Sequence, residues 1–343
     1  MSDHPRAERP SLLVTGASGF IGSFIVEEAL ARGFDVWAAL RPTSSRRYLT
    51  DSRIRFIELD LAGTGRLRGQ LEGHVAAHGA WDYVIHAAGA TKCRHADDFF
   101  KVNAEGTAHL ARALTATAAL RRRLVFISSL SVCGPLHEGD YAPLTAADTP
   151  RPNTAYGASK LAAEHLLADV GGLDYIILRP TGVYGPRERD YFLMAKSIAG
   201  HVDFAVGYRR QVLTFIYVRD LVSAVFLALN RGRRGAAYFL TDGSEYGSRA
   251  FSDLLQTAMG VGTVAHVKAP LWVLRAVCVV SGTWARLLGK AATLNIDKYN
   301  IMRQRNWRCD ITPARCDLGY APAYPLKRGV TETVAWYKKE KWL

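Results

Sequence analysis

The stretch Leu12-Leu-Val-Thr15-Gly16-Ala-Ser-Gly19-Phe-Ile-Gly22 decides the fold of this chain of 343 residues. An apolar run suited to a buried strand leads into three glycines spaced three apart, and a helical pattern of apolar residues follows. Strand, glycine turn and helix in that order are what a dinucleotide phosphate site requires, although glycines on their own often only serve turns. Gly16 would permit the tight turn, Gly19 the approach of backbone to a pyrophosphate, and Gly22 the close packing of the helix. The helix N-terminus would then hold the anion.

The first half of the chain alternates strand and helix patterns. Apolar runs predict strands at 12–14, 35–40, 54–59, 83–87, 124–127 and 176–178, and helical periodicity occupies 22–32, 67–78, 97–119 and 154–170. This alternation predicts an α/β fold, a Rossmann-type doubly wound parallel sheet, with ligands outside the carboxyl ends of its strands. The candidate cofactor and catalytic motifs described below lie at such ends.

Charge narrows the choice of partners. The formal net charge is +13, but the basic residues occur in short scattered groups, without an aromatic-basic groove or a nucleic-acid reader motif. We therefore expect a small-molecule substrate and no nucleic acid. Phosphorylated cofactors, acidic substrates or an anionic membrane surface are the expected negative partners.

The cysteines and the apolar runs bear on location and metal binding. Five cysteines lie far apart with no CxxC spacing, and their odd number argues against a disulfide framework and against a zinc site. The first ten residues are polar and do not resemble a secretory signal, and no apolar run reaches the roughly 18 to 20 residues of a spanning helix. The sequence predicts a cytoplasmic protein without a metal site.

The end of the second predicted strand bears on the choice of cofactor. An NAD site usually places a carboxylate here for the ribose 2′-hydroxyl, whereas an arginine accommodates a 2′-phosphate. Leu40 holds the expected acidic position, and Arg41, Ser45 and Arg46 follow it. The pattern favours NADP(H) over NAD(H). The alternative is that these arginines form a basic surface loop.

Two further strand ends carry candidate cofactor contacts. Asp60, followed by Leu61, could accept a hydrogen bond from an adenine amino group, or it could be a helix N-cap. Ala87, Ala88 and Gly89 close the fourth strand with small residues, which leave room beside a ribose and the nicotinamide linkage.

A serine stretch and a Tyr-x-x-x-Lys spacing suggest catalysis. Ser129 lies at the end of a buried strand, and Tyr156 and Lys160 share a helix face because they are four residues apart. We expect the Lys160 ammonium to lower the phenol pKa from about 10, so that Tyr156 exchanges a proton with a substrate oxygen that Ser129 also contacts. Lys160 could also reach the nicotinamide ribose. The alternative is a structural Tyr and Lys on an exposed helix.

Taken together, these motifs resemble the extended short-chain dehydrogenase/reductases, the NAD(P)-dependent epimerase/dehydratase family. The matching pieces cover nearly the whole chain: the TGASGFIG turn, His86-Ala-Ala-Gly89, Asn103, the serine stretch, Tyr156-x-x-x-Lys160, Arg179-Pro-Thr-Gly-Val-Tyr-Gly185-Pro186 and Phe215-Ile-Tyr-Val-Arg-Asp220. The resemblance implies that Ser129, Tyr156 and Lys160 are the catalytic trio. It also implies that segment 179–186 closes over the nicotinamide while opening the substrate region.

The residues and the resemblance together predict a set of cofactor contacts and a domain layout. Residues 10–180, with parts of about 208–240, would form the Rossmann domain, and 181–343 mainly a smaller, discontinuous C-terminal α/β substrate domain. Dimers through a helix pair are common in the family, so a homodimer stays open. The predicted contacts are Gly16, Ser18, Gly19, Phe20, Ile21, Gly22, Arg41, Ser45, Arg46, Asp60, Leu61, Ala87, Ala88, Gly89, Asn103, Tyr156, Lys160, Pro180, Gly182 and Val183.

Departures from the family's patterns narrow the chemistry. Sugar-nucleotide 4,6-dehydratases carry acidic residues after the catalytic serine or threonine, whereas Leu130-Ser131 follow here, so a dehydratase is not expected. Sugar-nucleotide epimerases usually place Arg-Asp before the aromatic residue of a later strand. Leu213-Thr214 stand there instead, although Arg209 or Arg210 could substitute.

The sequence therefore predicts an oxidoreductase that acts on the carbonyl or alcohol carbon of an apolar, steroid-, aryl- or lipid-like substrate. The segment Ala38-Ala-Leu-Arg41-Pro-Thr supports this prediction, because it is similar to the turn of NADPH-dependent dihydroflavonol reductase-like members. A nucleotide-sugar epimerase that retains its cofactor is the alternative. A non-catalytic NADP(H)-sensing protein is disfavoured, because such proteins typically lose the Tyr or the Lys.

One later helix has three interpretations. Pro270 at its first position and Gly289 past its end frame a helix that is apolar on most sides. Such a helix is usually buried against protein. It could instead form the wall of a lipophilic pocket, or make a peripheral membrane contact through 270–289 as in sterol-dehydrogenase-like relatives. Arg275 within it argues against a membrane span.

Overall fold

The computed structural model describes residues 9–287 and 294–343. Every predicted strand of the first half is present, with ends shifted by at most four residues. The strands are β1 Ser11–Thr15, β2 Asp35–Leu40, β3 Arg55–Glu58, β4 Trp81–His86, β5 Leu120–Ile127, β6 Tyr175–Pro180, β7 Gly182–Tyr184, β8 Val202–Val206, β9 Val212–Leu213, β10 Phe215–Tyr217, β11 Ala237–Leu240, β12 Tyr246–Gly247 and β13 Ala265–Ala269.

The helices of the described ranges alternate with the strands up to β6 and then dominate the C-terminal part. They are α1 Phe20–Ala31, α2 Thr64–His78, α3 Ala96–Phe99, α4 Gly106–Ala116, α5 Ala155–Ala168, α6 Asp190–Ala199, α7 Val218–Asn230, α8 Ala250–Met259, α9 Leu271–Leu287, α10 Ile296–Arg303 and α11 Leu326–Lys339.

The central sheet is parallel and has the strand order β11-β6-β5-β4-β1-β2-β3. The chain moves outward from β1 to β3 and then returns to place β4 on the other side of β1. The sheet order therefore reverses between β1 and β4, and a crevice opens at their carboxyl ends. This confirms the predicted doubly wound α/β fold.

Both faces of the sheet are buried, as expected for parallel strands that are apolar throughout. Along β1, Leu12 and Val14 join the apolar cluster on the side of α1 and α7, whereas Leu13 joins the cluster on the side of α2, α4 and α5. This period of two fixes the strand register, because a shift by one residue would exchange the two faces.

The predicted helix at 97–119 is interrupted. A π-helical turn, Phe100–Glu105, separates α3 from α4, and α4 ends at Ala116. The widened turn contains the fully buried Asn103, whose amide group exchanges hydrogen bonds with the backbone of Ala90. A wide turn inside a helix is often found where a side chain has a specific task.

The chain after β6 forms three small two-stranded sheets, β7 with β10, β9 with β12 and β8 with β13. It also returns to the main sheet, because α7 packs against α1 and β11 pairs with β6. The division at 180–181 remains a prediction.

Of the three interpretations of the apolar helix, burial on all sides does not fit its described residues. In α9, Leu274 and Cys278 are buried on one face, whereas Trp272, Val280 and Trp284 are exposed on the other. Among the described residues, α10 packs on α9 and leaves these three side chains uncovered. Gly289, and residues 1–8 of the polar N-terminal segment, lie outside the described residues. Within the described ranges, no helix is long and apolar enough to cross a membrane.

Candidate active site

The glycine turn is built by close backbone contacts. Gly16 has a φ of 67°, and a Cβ atom there would lie 2.6 Å from the carbonyl oxygen of Ala87 and from the amide nitrogen of Ala88. A Cβ atom on Gly22 would overlap the carbonyl oxygen of Gly16. The turn, the end of β4 and the start of α1 therefore meet at distances that only glycine permits.

The N-terminus of α1 fits the phosphates of a dinucleotide. Its N-cap, Gly19, provides no side-chain cap, and no acidic residue lies in its first turn. The amides of Phe20, Ile21 and Gly22 are therefore available to an anion, and the helix dipole favours negative charge there. Ser18 is half-buried in the turn that precedes them.

The loop after β2 presents the residues predicted to choose the cofactor. Arg41, Ser45 and Arg46 are all exposed. The Arg41 backbone amide donates to the Ser44 hydroxyl, which tightens the loop, and the Arg46 guanidinium lies 4.1 Å from the ring centroid of Phe56. The loop thus leaves the Arg41 side chain at the surface, near the end of β2.

Asp60 is not a helix N-cap, because α2 starts later and has Gly63 as its N-cap. Its carboxylate accepts a hydrogen bond from the amide of Ala62, within the loop itself. The carbonyl of the next residue, Leu61, is held by the ring Nδ1 of His109 in α4.

A chain of buried hydrogen bonds links the ends of β1 and β4 to the π-helical turn. The hydroxyl of Thr15 lies 2.7 Å from Nδ1 of His86, and Nε2 of His86 lies 2.9 Å from the hydroxyl of Thr107. Thr107 donates to the carbonyl of Asn103, so it accepts from the histidine, which fixes the proton on Nε2. Burial, aided by the positive charge of Lys160, lowers the pKa of His86 to about 3.

Gly89, Asn103 and Lys160 converge at the carboxyl end of β4. A Cβ atom on Gly89 would lie 3.0 Å from Oδ1 of Asn103 and 3.1 Å from Nζ of Lys160. Asn103 Nδ2 also donates to the Ser159 hydroxyl at 2.9 Å, and Ser159 donates to the carbonyl of Tyr156. The predicted residues of β4, the π-helical turn and α5 are thus brought together, with room between them that only a glycine leaves.

Lys160 is buried and held by backbone. Its Nζ donates to the carbonyl of Ile127 at 2.9 Å and lies 4.8 Å from the ring centroid of Phe126. Burial lowers the pKa of Lys160 to about 8, and the negative charge of Glu164 opposes that shift.

The pKa of Tyr156 moves opposite to the sequence prediction. Burial raises it, and a hydrogen bond with Ser129 only partly opposes the rise. Desolvation of the phenolate sets this direction, and the Lys160 ammonium is turned toward the carbonyl of Ile127. The effect of Ser129 on the pKa of Tyr156 indicates that the two side chains are neighbours, as in the predicted trio.

Several supporting residues were missed by sequence reasoning. The carboxylate of Asp297, in α10, accepts from the backbone amides of Ala155 and Tyr156 and so holds the first turn of α5. Glu164, one turn beyond Lys160, pairs with Arg179 and accepts from the Ser128 hydroxyl. The spacing of Lys160 and Glu164 was visible in the sequence, but the approach of α10 was not.

Two adjoining cavities lie at this end of the sheet; the one lined by Ser129 is called here the inner cavity, and the other the outer cavity. The inner cavity, about 320 Å³, has a mainly apolar wall, to which Pro180 and Gly182 contribute, and it also includes the polar side chains of Ser131, Thr181 and Thr214. The outer cavity, about 650 Å³, contains Arg209, Arg303 and Arg305. Both walls include Val206 and Gln211. Val183 continues β7 away from Gly182 and packs against the core.

Comparison with known proteins places this geometry in a family. The model of the NAD-dependent epimerase/dehydratase family matches residues 12–240. The chain belongs to this family. It is therefore an enzyme of the NAD-dependent epimerase/dehydratase type, and its cofactor class is a nicotinamide dinucleotide.

Two curated relatives and one solved structure illustrate the range of this family. The chain is 32% identical to the sterol demethylase protein B of Methylococcus capsulatus, over 67% of this chain and 69% of the relative. It is 28% identical to a 4-hydroxy-2-methyl-3-oxo-4-farnesyl-3,4-dihydroquinoline-1-oxide ketoreductase of Stigmatella aurantiaca, over 92% and 93%. The UDP-glucose 4-epimerase of Thermus thermophilus, solved as a complex with NAD, superposes with a TM-score of 0.74 at 23% identity, over 96% and 99%, which is a likeness of fold.

Proposed function

We propose that this family member transfers hydride between a nicotinamide dinucleotide and the carbonyl or alcohol carbon of an apolar substrate. The observation that carries the proposal is the inner cavity, which begins at Ser129 and continues between apolar side chains such as Met194, Phe251 and Trp307. A mainly apolar cavity with a few hydroxyl groups in its wall favours a mainly apolar substrate that carries a polar group.

The proposed mechanism uses three side chains. The bound nicotinamide supplies or accepts the hydride at the substrate carbon. In the reducing direction, Tyr156 gives its phenolic proton to the substrate oxygen as the C=O double bond becomes single. Ser129 donates a hydrogen bond to the same oxygen and positions it. Lys160, one turn away on α5, stabilises the phenolate that remains.

The residues that would hold the cofactor are those that leave room for it. Gly16, Gly19 and the first amides of α1 would bind the pyrophosphate, and Gly89 with Asn103 would border the nicotinamide ribose. The proposed preference for NADP(H) rests on Arg41, with Ser45 and Arg46 beside it on an exposed loop. The remaining residues predicted from the sequence would provide further contacts to the cofactor.

Two relatives support an apolar substrate. The names of the Methylococcus and Stigmatella proteins refer to a sterol and to a farnesylated quinoline oxide, both largely hydrocarbon. The wall of the inner cavity is of the same apolar character.

A nucleotide-sugar epimerase remains the second candidate because of the outer cavity. Arg209 and Arg303 are exposed in its wall, beside Gln211 and Tyr208, and could receive an anionic group. An epimerase would use the same trio but would return the hydride to the substrate and keep its cofactor.

The test is a substrate panel followed by near-ultraviolet absorbance of NADPH and NADH. The panel contains steroid, aryl and acyl ketones together with nucleotide sugars. We expect turnover with an apolar ketone, reduced about 10²- to 10⁴-fold in Tyr156→Phe, while the dissociation constant of the dinucleotide stays the same. Turnover of nucleotide sugars alone would overturn the proposed substrate class, and an active Tyr156→Phe would remove Tyr156 from its role.

A further inference from the structure

Exposed apolar side chains are concentrated in one region. Among the described residues, thirteen large hydrophobic side chains are exposed, and nine of them lie in residues 204–208 and 267–284, called here the apolar patch. Trp272 is 73% exposed, Val280 67%, Trp284 65% and Phe204 63%. Single exposed apolar residues are ordinary, but a contiguous group of this kind marks an interaction surface.

The patch is continuous along two elements. In the β8 and β13 pair, Phe204 stands opposite Val267, and both are exposed. Tyr208 follows β8 and donates to the carbonyl of Lys268, which brings it beside the start of α9. Trp272, Val279 and Val280 continue the surface on the side of α9 opposite the buried Leu274 and Cys278.

Most charged residues beside the patch are basic, although Glu138 lines the outer cavity together with Leu271 and Trp272. No Asp or Glu occurs between Asp253 and Asp297 in the sequence. The same segment contains Lys268 and Arg275, and both are exposed. Arg209 and Arg210 directly follow Tyr208 and are exposed as well. A second copy of the chain would bring the same cations face to face, so self-association through this patch is disfavoured. Apolar side chains with interfacial tryptophans and a basic border complement an anionic lipid surface instead.

The patch also meets the mouth of the cavities. Leu271 and Trp272 line the outer cavity and Phe204 lines the inner one, although all three are exposed. A bilayer that covered the patch would therefore place its acyl region at the entrance to the substrate site.

We propose that the apolar patch docks on an anionic phospholipid bilayer, from which the substrate enters through the outer cavity. The second half of this statement rests on the proposed function, because it assumes an apolar substrate. The first half does not, since docking requires only the patch and its charges.

The experiment is flotation of the full-length chain with vesicles of phosphatidylcholine alone or of phosphatidylcholine mixed with phosphatidylserine. We expect the chain to float with the anionic vesicles at least about tenfold better than with the neutral ones. Val280→Glu should reduce that binding about tenfold, because it places a carboxylate in the acyl region. Leu193→Glu is the matched control: it replaces an exposed aliphatic residue outside the patch and should leave binding within about twofold.

Circular dichroism establishes that both variants are folded. Equal flotation of Val280→Glu and Leu193→Glu would overturn the docking proposal. A second result would also overturn it: the wild-type protein does not bind vesicles but forms a dimer in sedimentation velocity, and Val280→Glu dissociates that dimer.

The flotation assay contains no cofactor and no substrate, so its failure is separate from failure of the proposed function. Vesicle binding combined with an inactive ketone panel would remove the proposed function and leave docking intact. Ketone turnover without vesicle binding would do the reverse.

Discussion

The Nζ atom of Lys160 donates a 2.9 Å hydrogen bond to the carbonyl oxygen of Ile127, two residues before Ser129. The contact fixes a buried ammonium against the carboxyl end of β5, one helical turn from Tyr156. Burial favours the neutral form of the amine, so keeping the ammonium charged at this position costs stability.

Lys160→Met should stabilise the fold while it abolishes turnover. The pKa of Lys160 is about 8 in the fold against 10.5 when exposed. The unfolded chain therefore binds this proton more tightly, and below pH 8 the buried charge destabilises the fold by roughly 3 kcal/mol. This destabilisation fades as the pH rises from about 8 to 10.5.

Loss of the hydrogen bond to Ile127 offsets part of this stabilisation. We therefore expect the free energy of unfolding of Lys160→Met at pH 7 to exceed that of the wild type by about 1–2 kcal/mol. Urea titrations at pH 7 and pH 10 measure the difference, which should be smaller at the higher pH. Lys327→Met, at an exposed position of α11, is the control and should change little. A destabilised Lys160→Met would refute this account of the buried charge.

Gly22→Ala should impair both folding and dinucleotide binding. The new methyl group would overlap the carbonyl oxygen of Gly16, so either α1 or the glycine turn must move. We expect at least about 2 kcal/mol of lost unfolding free energy and a weakened affinity for the dinucleotide, measured by fluorescence titration. Gly73→Ala is the matched control, because a Cβ atom at this exposed position of α2 meets nothing within 4 Å, and it should stabilise the helix by about 1 kcal/mol.

His86→Gln should make the free energy of unfolding less dependent on pH below neutrality. The pKa of His86 is about 3 in the fold against 6.5 when exposed. The unfolded chain therefore gains a proton first, and the stabilisation present above pH 6.5 is lost as the pH falls toward 3. Glutamine can still contact Thr15 and Thr107 but does not titrate. We expect unfolding free energies measured from pH 7 to pH 4 to fall less steeply in the variant, and an unchanged slope would contradict the neutral, buried histidine.

Arg41→Glu should shift cofactor preference toward NAD(H). The side chain is exposed near the end of β2, where a carboxylate would repel a 2′-phosphate and could accept from a 2′-hydroxyl. We expect the ratio of kcat/KM for NADPH over NADH to fall about tenfold or more. Arg53→Glu, at an exposed site in the loop before β3, controls for net charge. An unchanged ratio in Arg41→Glu would show that Arg41 does not contact the 2′-phosphate of NADP(H).

The parts that could be predicted from the sequence are those set by local chemistry. The glycine turn, the parallel strands and the Tyr156 to Lys160 spacing each follow from residues close together in the chain. Asp297 could not be predicted, because it reaches the first turn of α5 from 142 residues away. The π-helical turn around Asn103 could not be predicted either, because the hydrogen bond of Asn103 goes to the backbone of Ala90, thirteen residues earlier.

Two further differences arise from burial, which sequence patterns describe poorly. Apolar character on most sides favoured a buried α9 among three interpretations, yet one face of its described residues is exposed. The spacing of Tyr156 and Lys160 predicted a lowered phenol pKa, yet desolvation decides its direction. In both cases the missing quantity was the amount of protein packed around the residue.

The most direct measurement of the central claim is the stoichiometry of cofactor use with an active substrate. Product formation and dinucleotide absorbance are followed together in one reaction, with the dinucleotide in excess over enzyme. We predict that one reduced dinucleotide disappears for each alcohol formed from an apolar ketone. Product that accumulates with no net change in dinucleotide would contradict a carbonyl reductase and identify an epimerase that retains its cofactor.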